Sequence, residues 1–256
     1  MTPRLALRRF GSLAVPTPLA LPGQRIGIMG GSFNPPHPGH VAISQTALRR
    51  LDLDRLWWVV TPGNPLKSKD GLPPLADRIA ACRALLSDPR IEVTGFEADL
   101  GSPYTAATLA FLKSRFPRTH LVWVMGADNL ASFDRWQDWR RIAALMPIAV
   151  IDRPQWRLAA LASPAAHALA RYRIAESAAA SLWRRHTPAW TYLGTRLSDL
   201  TSSQIRGRGR PEQRAAPVNS VCAAVLRVLM ATHLKRIFHI ASKRLGHRAA
   251  KYLSEL

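Results

Sequence analysis

Six short, largely apolar runs punctuate the chain, at residues 25–29, 56–60, 91–94, 120–125, 148–151 and 190–193. Most are nearly continuous in hydrophobic side chains, as expected of strands buried on both faces. Stretches with helical spacing separate them, at residues 39–50, 76–86, 105–115 and 136–145. Val41, Ala42, Gln45 and Leu48 mark the expected inner face of the first helix, and Ile79, Cys82, Arg83 and Leu86 that of the second. Thr105 is a candidate cap for the third. Residues 156–186 are rich in alanine and predicted helical, interrupted by Pro164. Strands alternating with helices predict an α/β fold, a parallel sheet with helices on both faces. Ligands of such sheets sit beyond the carboxyl ends of the strands.

Composition narrows the classes further. With 256 residues, 47% of them apolar, the chain fits one large domain or one domain with extensions, and excludes a wholly disordered polymer. No stretch approaches the ~20 apolar residues of a membrane helix, so no membrane role is expected. Two cysteines, Cys82 and Cys222, exclude a disulfide framework and suit a reducing, cytoplasmic compartment. The formal charge of +20 is uneven: +4 in residues 1–25, +7 in 26–205 and +9 in 206–256. Such a balance suits polyanionic partners. Pro16, Pro18 and Pro22 break the early apolar run, which argues against a secretory leader. Residues 1–24 are read as a basic disordered arm, 25–206 as the domain, and 207–256 as a basic, helical C-terminal extension.

The segment at residues 27–40 carries the chemistry: Gly-Ile-Met-Gly-Gly-Ser-Phe-Asn-Pro-Pro-His-Pro-Gly-His. A strand runs into the glycine pair Gly30–Gly31, where backbone can approach a ligand with no Cβ in the way. A helix start follows, and its free N–H groups favour anions. His37 and His40 flank that start and can donate hydrogen bonds to phosphate. The pattern is neither a P-loop nor a Gly-x-Gly-x-x-Gly dinucleotide loop. Two histidines alone would also fit a plain loop or a chance metal pair, but no further ligands follow at a recognisable spacing.

Gly-Gly-Ser-Phe-Asn-Pro-x-His-x-Gly-His resembles the signature of the nucleotidylyltransferases, a Rossmann-like family, and within it that of bacterial nicotinate-nucleotide adenylyltransferases. Further segments match in order: residues 61–67 (Thr-Pro-Gly-Asn-Pro-Leu-Lys), 102–109 (Ser-Pro-Tyr-Thr-Ala-Ala-Thr-Leu), 125–136 (Met-Gly-Ala-Asp-Asn-Leu through Trp), 151–154 (Ile-Asp-Arg-Pro) and 201–206 (Thr-Ser-Ser-Gln-Ile-Arg). The resemblance implies transfer of AMP from ATP to nicotinate mononucleotide, with Mg2+ accompanying ATP and no protein-bound metal. It assigns catalytic roles to His37, His40 and Arg206. It assigns ATP contacts to Gly30, Gly31, Ser32, Phe33, Lys67, Gly126, Asp128, Ser202 and Ser203. It assigns mononucleotide contacts to Ser32, Phe33, Tyr104, Thr105 and Trp136. A pantetheine-phosphate type of adenylyltransferase and an RNA-binding protein on the same fold are the alternatives. The basic tail fits an oligomer contact, a polyanion contact or no selected function.

Overall fold

The structure, a computed structural model, describes residues 9–10, 13–63 and 72–194. Six strands form one wholly parallel sheet: β1 (Arg25–Gly31), β2 (Arg55–Val60), β3 (Ile91–Thr94), β4 (His120–Gly126), β5 (Ile148–Ile151) and β6 (Trp190–Leu193). Their order is β3-β2-β1-β4-β5-β6, which reverses direction between β1 and β4. Such a reversal opens a crevice at the carboxyl ends of the two strands. All six expected strands are present, and β1 runs two residues farther than expected, through Gly30 and Gly31.

The helices are α1 (Pro38–Arg50), α2 (Leu75–Leu85), α3 (Thr105–Arg115), α4 (Ala127–Leu130), α5 (Trp139–Leu145), α6 (Arg157–Leu161) and α7 (Pro164–Ala168). Two apolar layers sandwich the sheet. Ile43, Ala47 and Leu48 of α1 and Cys82 of α2 meet Met29, Trp58 and Val122 on one face. Leu109 and Leu112 of α3 and Ile142 of α5 meet Ile28, Trp57 and Trp123 on the other. Each buried side chain of this size contributes about 1.5–3 kcal/mol, so the sheet is held from both sides and its carboxyl edge can carry irregular loops.

Several local expectations change. The inner face of α1 is Ile43, Ser44, Ala47 and Leu48, with Gln45 exposed. Ser44 can face inward because its hydroxyl donates to the His40 carbonyl (2.8 Å) and accepts from the Trp58 indole (2.7 Å). The inner face of α2 is Arg78 and Cys82, with Arg83 exposed. Tyr104, not Thr105, is the cap residue of α3. Helix α5 starts at Trp139 rather than Trp136, because Asp138 adopts a left-handed backbone (φ 54°) that the helix cannot include. The alanine-rich stretch does not form one helix: α6 and α7 are single turns, followed by 3-10 turns at Ala170–Tyr172 and Glu176–Arg184. Pro164 opens α7, where it has no N–H to lose, and the Ser163 hydroxyl caps it by accepting from Ala166 N (3.2 Å).

Within 1–24, residues 15–24 are not an arm. Val15 is fully buried, Thr17 accepts a hydrogen bond from Arg115 Nε (2.9 Å), and Gly23 N donates to the Arg118 carbonyl (2.7 Å). One apolar side chain and two polar contacts are enough to lay this segment along the domain. The extension at 207–256 lies outside the described residues. Among the described residues no helix is long and apolar enough to cross a membrane.

Candidate active site

The site is assembled where β1 and β4 end. Gly31 hands the chain to Ser32 and Phe33, and Phe33 takes a left-handed backbone (φ 45°). That conformation costs a non-glycine residue roughly 1–3 kcal/mol. The Phe33 ring holds it there: it is buried, stacks on Trp58 (4.7 Å, 17°) and tilts against His40 (4.9 Å). A side chain lodged in the core thus fixes the turn by which the chain leaves β1. The lack of a Cβ at Gly30 serves packing, since one there would lie 2.7 Å from the Trp123 ring.

The two histidines cap α1 with each other. His37 Nδ1 accepts from Gly39 N (3.1 Å), and His40 Nδ1 accepts from His37 N (3.2 Å). Their rings lie 3.8 Å apart. A ring nitrogen that accepts carries no proton, so in the neutral form each proton sits on Nε2. His37 is buried, and its Nε2 has no hydrogen-bond partner among the described residues. The helix cap therefore fixes two imidazoles as Nε2–H donors. Burial, with the nearby Arg153 charge, pushes the His37 pKa down to about 4, partly offset by Asp128. Burial, His37 and Arg153 likewise hold His40 well below the ordinary imidazole range. At neutral pH both rings are uncharged donors, beside a cation.

Arg153 follows β5 and pairs with Asp128, on α4 after β4, through Nη1 and Oδ2 at 2.9 Å. The other Asp128 oxygen, Oδ1, is buried and unbonded among the described residues. Gly126 makes the approach possible: a Cβ there would lie 2.5 Å from Asp128 Oδ1 and 2.8 Å from Arg153 Cδ. Among the described residues no three His, Cys, Asp or Glu side chains converge to hold a metal ion.

The remaining predicted residues divide. Tyr104 and Thr105 open α3, which has no side-chain cap and no acid in its first turn. Tyr104 is exposed and Thr105 half-buried. Trp136 is half-buried, edge-on to Phe133 at 5.6 Å. Lys67, Ser202, Ser203 and Arg206 lie outside the described residues.

Sequence patterns did not single out Arg78 and Glu97, and they gave Arg153 only as part of the matching 151–154 segment, without a role. Arg153 had a signal, since a charged residue directly after a central parallel strand points at the ligand crevice. Arg78 and Glu97 had none, because a buried charge reads in sequence like a solvated one. Cys82, also on α2, is an inert core thiol whose pKa burial pushes up to about 12.

Comparison with known proteins places this geometry. A family model described as cytidylyltransferase-like matches residues 28–208. A protein of Agrobacterium fabrum named probable nicotinate-nucleotide adenylyltransferase is 55% identical over 181 residues, spanning 71% of this chain and 97% of its own length. One of Methylorubrum extorquens with the same name is 56% identical over 184 residues, 72% of this chain and all of its own length. The fold is also that of a solved structure, Plasmodium falciparum nicotinic acid mononucleotide adenylyltransferase complexed with NaAD. That match has a TM-score of 0.54 and 19% identity, and covers 72% of this chain and 83% of that one. With its histidine-capped loop at the reversal point of a parallel sheet, the chain belongs to the cytidylyltransferase-like family, in the group whose members are named nicotinate-nucleotide adenylyltransferases.

Proposed function

We propose that the protein transfers AMP from ATP to nicotinate mononucleotide, giving nicotinate adenine dinucleotide and pyrophosphate, in the biosynthesis of NAD. The observation that carries this reading is the pair of Nε2–H donors that the α1 cap fixes just after β1, one of them buried and, among the described residues, without a partner. The names of relatives at 55–56% identity support the choice of substrates.

The mononucleotide phosphate is the nucleophile. It attacks the α-phosphorus of ATP, the bond from that phosphorus to its bridging oxygen breaks, and pyrophosphate leaves with the electron pair. The nucleophile is already an anion, so no general base is required. Positioning and charge stabilisation supply the catalysis. In our reading His37 and His40 donate to the triphosphate, and the backbone of Gly30, Gly31, Ser32 and Phe33 lines the phosphates of both substrates. Bound phosphate would raise the affinity of both rings for a proton, strengthening those bonds as charge moves to the leaving group. Arg153 adds positive potential. Gly126 and Asp128 face the adenosine side. Lys67, Ser202, Ser203 and Arg206 complete the phosphate contacts, with Arg206 as the charged clamp.

The uncapped first turn of α3 at Tyr104–Thr105 suits the nicotinate carboxylate, because its free N–H groups favour an anion. The half-exposed indole of Trp136 suits the flat ring. Mg2+ travels with ATP and neutralises phosphate charge. Asp128 Oδ1, unbonded among the described residues, is the oxygen that would take one water of its shell. We place the reaction in the cytoplasm, in keeping with the two cysteines.

The test is pyrophosphate release from ATP and Mg2+ with nicotinate mononucleotide, nicotinamide mononucleotide or phosphopantetheine as acceptor. Turnover with nicotinate mononucleotide is expected. Preference for phosphopantetheine, or inactivity with all three, would overturn the reading.

A further inference from the structure

Arg78 is an arginine where a helix should present an apolar side chain. It is 3% exposed, and the partners of its guanidinium among the described residues are main-chain carbonyls. Nη1 donates to the Ser32 and Thr61 carbonyls, both at 2.8 Å, Nε to Pro73 (3.0 Å) and Nη2 to Pro62 (3.5 Å). A buried cation without a carboxylate is a costly way to fill space, and an apolar residue would do so with no desolvation penalty. Its value lies in what it joins. Ser32 belongs to the phosphate loop, and Thr61 and Pro62 follow β2. A planar fork bonded to both fixes their separation in a way that a single-point contact cannot.

The chain of contacts continues. Thr61 N donates to the Gly31 carbonyl (3.0 Å), a second tie to the same loop. The Thr61 hydroxyl accepts from Gly63 N (3.0 Å), and Thr61 lies close enough to the buried Glu97 carboxyl to favour its charged form against the burial that pushes its pKa up. Glu97 is buried, on the 3-10 turn Phe96–Leu100 that precedes α3. Its Oε1 accepts from the Thr108 hydroxyl at 2.6 Å. Thr108 N donates to the Tyr104 carbonyl (3.3 Å), in the first turn of α3. A run of polar contacts, anchored in the buried Arg78, Glu97 and Thr108, thus leads from the loop assigned to the triphosphate to the helix start assigned to the mononucleotide.

We propose that Arg78, Thr61, Glu97 and Thr108 form a largely buried polar strut that sets the distance between the two substrate-binding elements, making them positioning residues for the in-line attack. The proposal rests on the reaction proposed above. It touches neither substrate directly: the strut acts through Ser32 at one end and the Tyr104–Thr105 backbone at the other. Attack requires the mononucleotide phosphate to approach the α-phosphorus in line, and a misplacement of about 1 Å can cost on the order of 10²-fold in rate. Two loops and a helix start, each held only by its own strand, would not keep that tolerance. A shared set of short hydrogen bonds does.

The experiment uses the full chain with Arg78→Met, Thr108→Val and Thr108→Ser, and reads melting temperature, kcat, KM for each substrate, and ATP affinity by calorimetry. Thr108→Val keeps the shape of the side chain and removes the donor. It is expected to raise KM for nicotinate mononucleotide about tenfold, roughly the cost of leaving one buried acceptor without its hydrogen bond, with KM for ATP little changed. Thr108→Ser restores the hydroxyl and is expected to restore KM. Arg78→Met frees the phosphate loop and is expected to lower kcat about 10²-fold and to weaken ATP binding. If Arg78→Met does not fold, the Thr108 pair decides. Folded variants with wild-type kcat and KM, or a loss seen in melting temperature alone, would overturn the strut. If the wild type itself releases no pyrophosphate with nicotinate mononucleotide, the proposed reaction falls, and ATP affinity judges the strut: weakened binding in Arg78→Met supports it, unchanged binding overturns it.

Discussion

Charge is handled in opposite ways at the two ends of the sheet. At the amino end Arg25 binds Asp54 through Nη2 (2.6 Å) and also pairs with Asp52, while Arg55 binds Glu92 (2.6 Å). These pairs satisfy each other: the Asp54 contact raises the Arg25 pKa, and the same bond holds the Asp54 carboxyl below its usual range. At the carboxyl end burial lowers the pKa of His37, His40 and Arg78. Arg78 is held by carbonyls, His37 Nε2 is unbonded among the described residues, and the Arg153 charge further lowers the pKa of both imidazoles. The amino end is electrostatically closed. The carboxyl end holds desolvated donors and positive potential in readiness for a polyanion, which is the arrangement that lets binding energy act on a transition state rather than on the fold.

The difference is sharpest at His40. Replacing it with alanine removes one Nε2–H donor from the crevice and one contact of the α1 cap. Loss of a preorganised donor typically costs about 10²–10³ in kcat, and pyrophosphate release from the His40→Ala variant is expected to fall by that factor. Full turnover in this variant would break the assignment of the carboxyl end.

Acid should expose the same contrast in stability. His37 has a folded pKa of about 4 against an ordinary 6.5, so below pH 6.5 the unfolded chain binds a proton that the folded chain refuses. The stabilisation is whole above pH 6.5 and is lost progressively as pH falls to about 4. It amounts to about 3 kcal/mol for His37, and His40 acts in the same direction. Melting temperature followed from pH 7 to pH 4 should fall more steeply than in His37→Asn, whose amide can still cap α1 but takes up no proton. Equal slopes would mean that the histidines are not desolvated donors.

Gly126→Ala tests the crevice sterically. The new Cβ would collide with the Asp128 carboxylate and the Arg153 side chain, and overpacking of this kind costs typically about 1–3 kcal/mol. Because the pair itself must separate, activity should fall along with stability, by roughly tenfold for each 1.4 kcal/mol lost from transition-state binding. Chemical denaturation beside steady-state kinetics measures both. A variant less stable yet fully active would show that the Asp128–Arg153 pair is structural.

The same contrast governs how much of the molecule could be read from its sequence. Strands were legible because burial on both faces leaves unbroken apolar runs, as in β4 and β5. The phosphate loop was legible because a glycine pair, an aromatic and two histidines at fixed spacing seldom coincide except where backbone must meet phosphate. Helix faces were less so. Ser44 faces the core because it bonds His40 and Trp58, and hydropathy spacing cannot register a polar residue whose bonds are made inside. Arg78 and Glu97 failed for the same reason: their partners lie 46 and 11 residues away in the chain, at Ser32 and Thr108. The alanine-rich stretch after Trp156 failed in the other direction, its helical propensity overridden by packing into single turns. Sequence patterns report what a residue avoids, namely water, more faithfully than what it bonds.

The smallest expected effect lies at the amino end and completes the contrast. Asp54→Asn removes a charge from a partly exposed pair: the Asp54 side chain is 36% exposed and that of Arg25 24%. Exposed pairs contribute about 0–1 kcal/mol. Here the carboxylate also accepts from Arg25 N at 2.8 Å, a bond that the asparagine oxygen can keep. The expected loss is therefore about 1 kcal/mol or less at low salt, and smaller still at high salt, where screening weakens the wild-type pair. The proposed site lies at the opposite end of the sheet, so kcat and KM should stay at wild-type values. A comparable change in kcat would mean that charge at the amino end reaches the crevice through β1, and the two ends of the sheet would then have to be treated as one electrostatic system. Unchanged kinetics with a small, salt-sensitive loss of stability would leave them as two: one end that holds the fold, and one that holds the nucleotide.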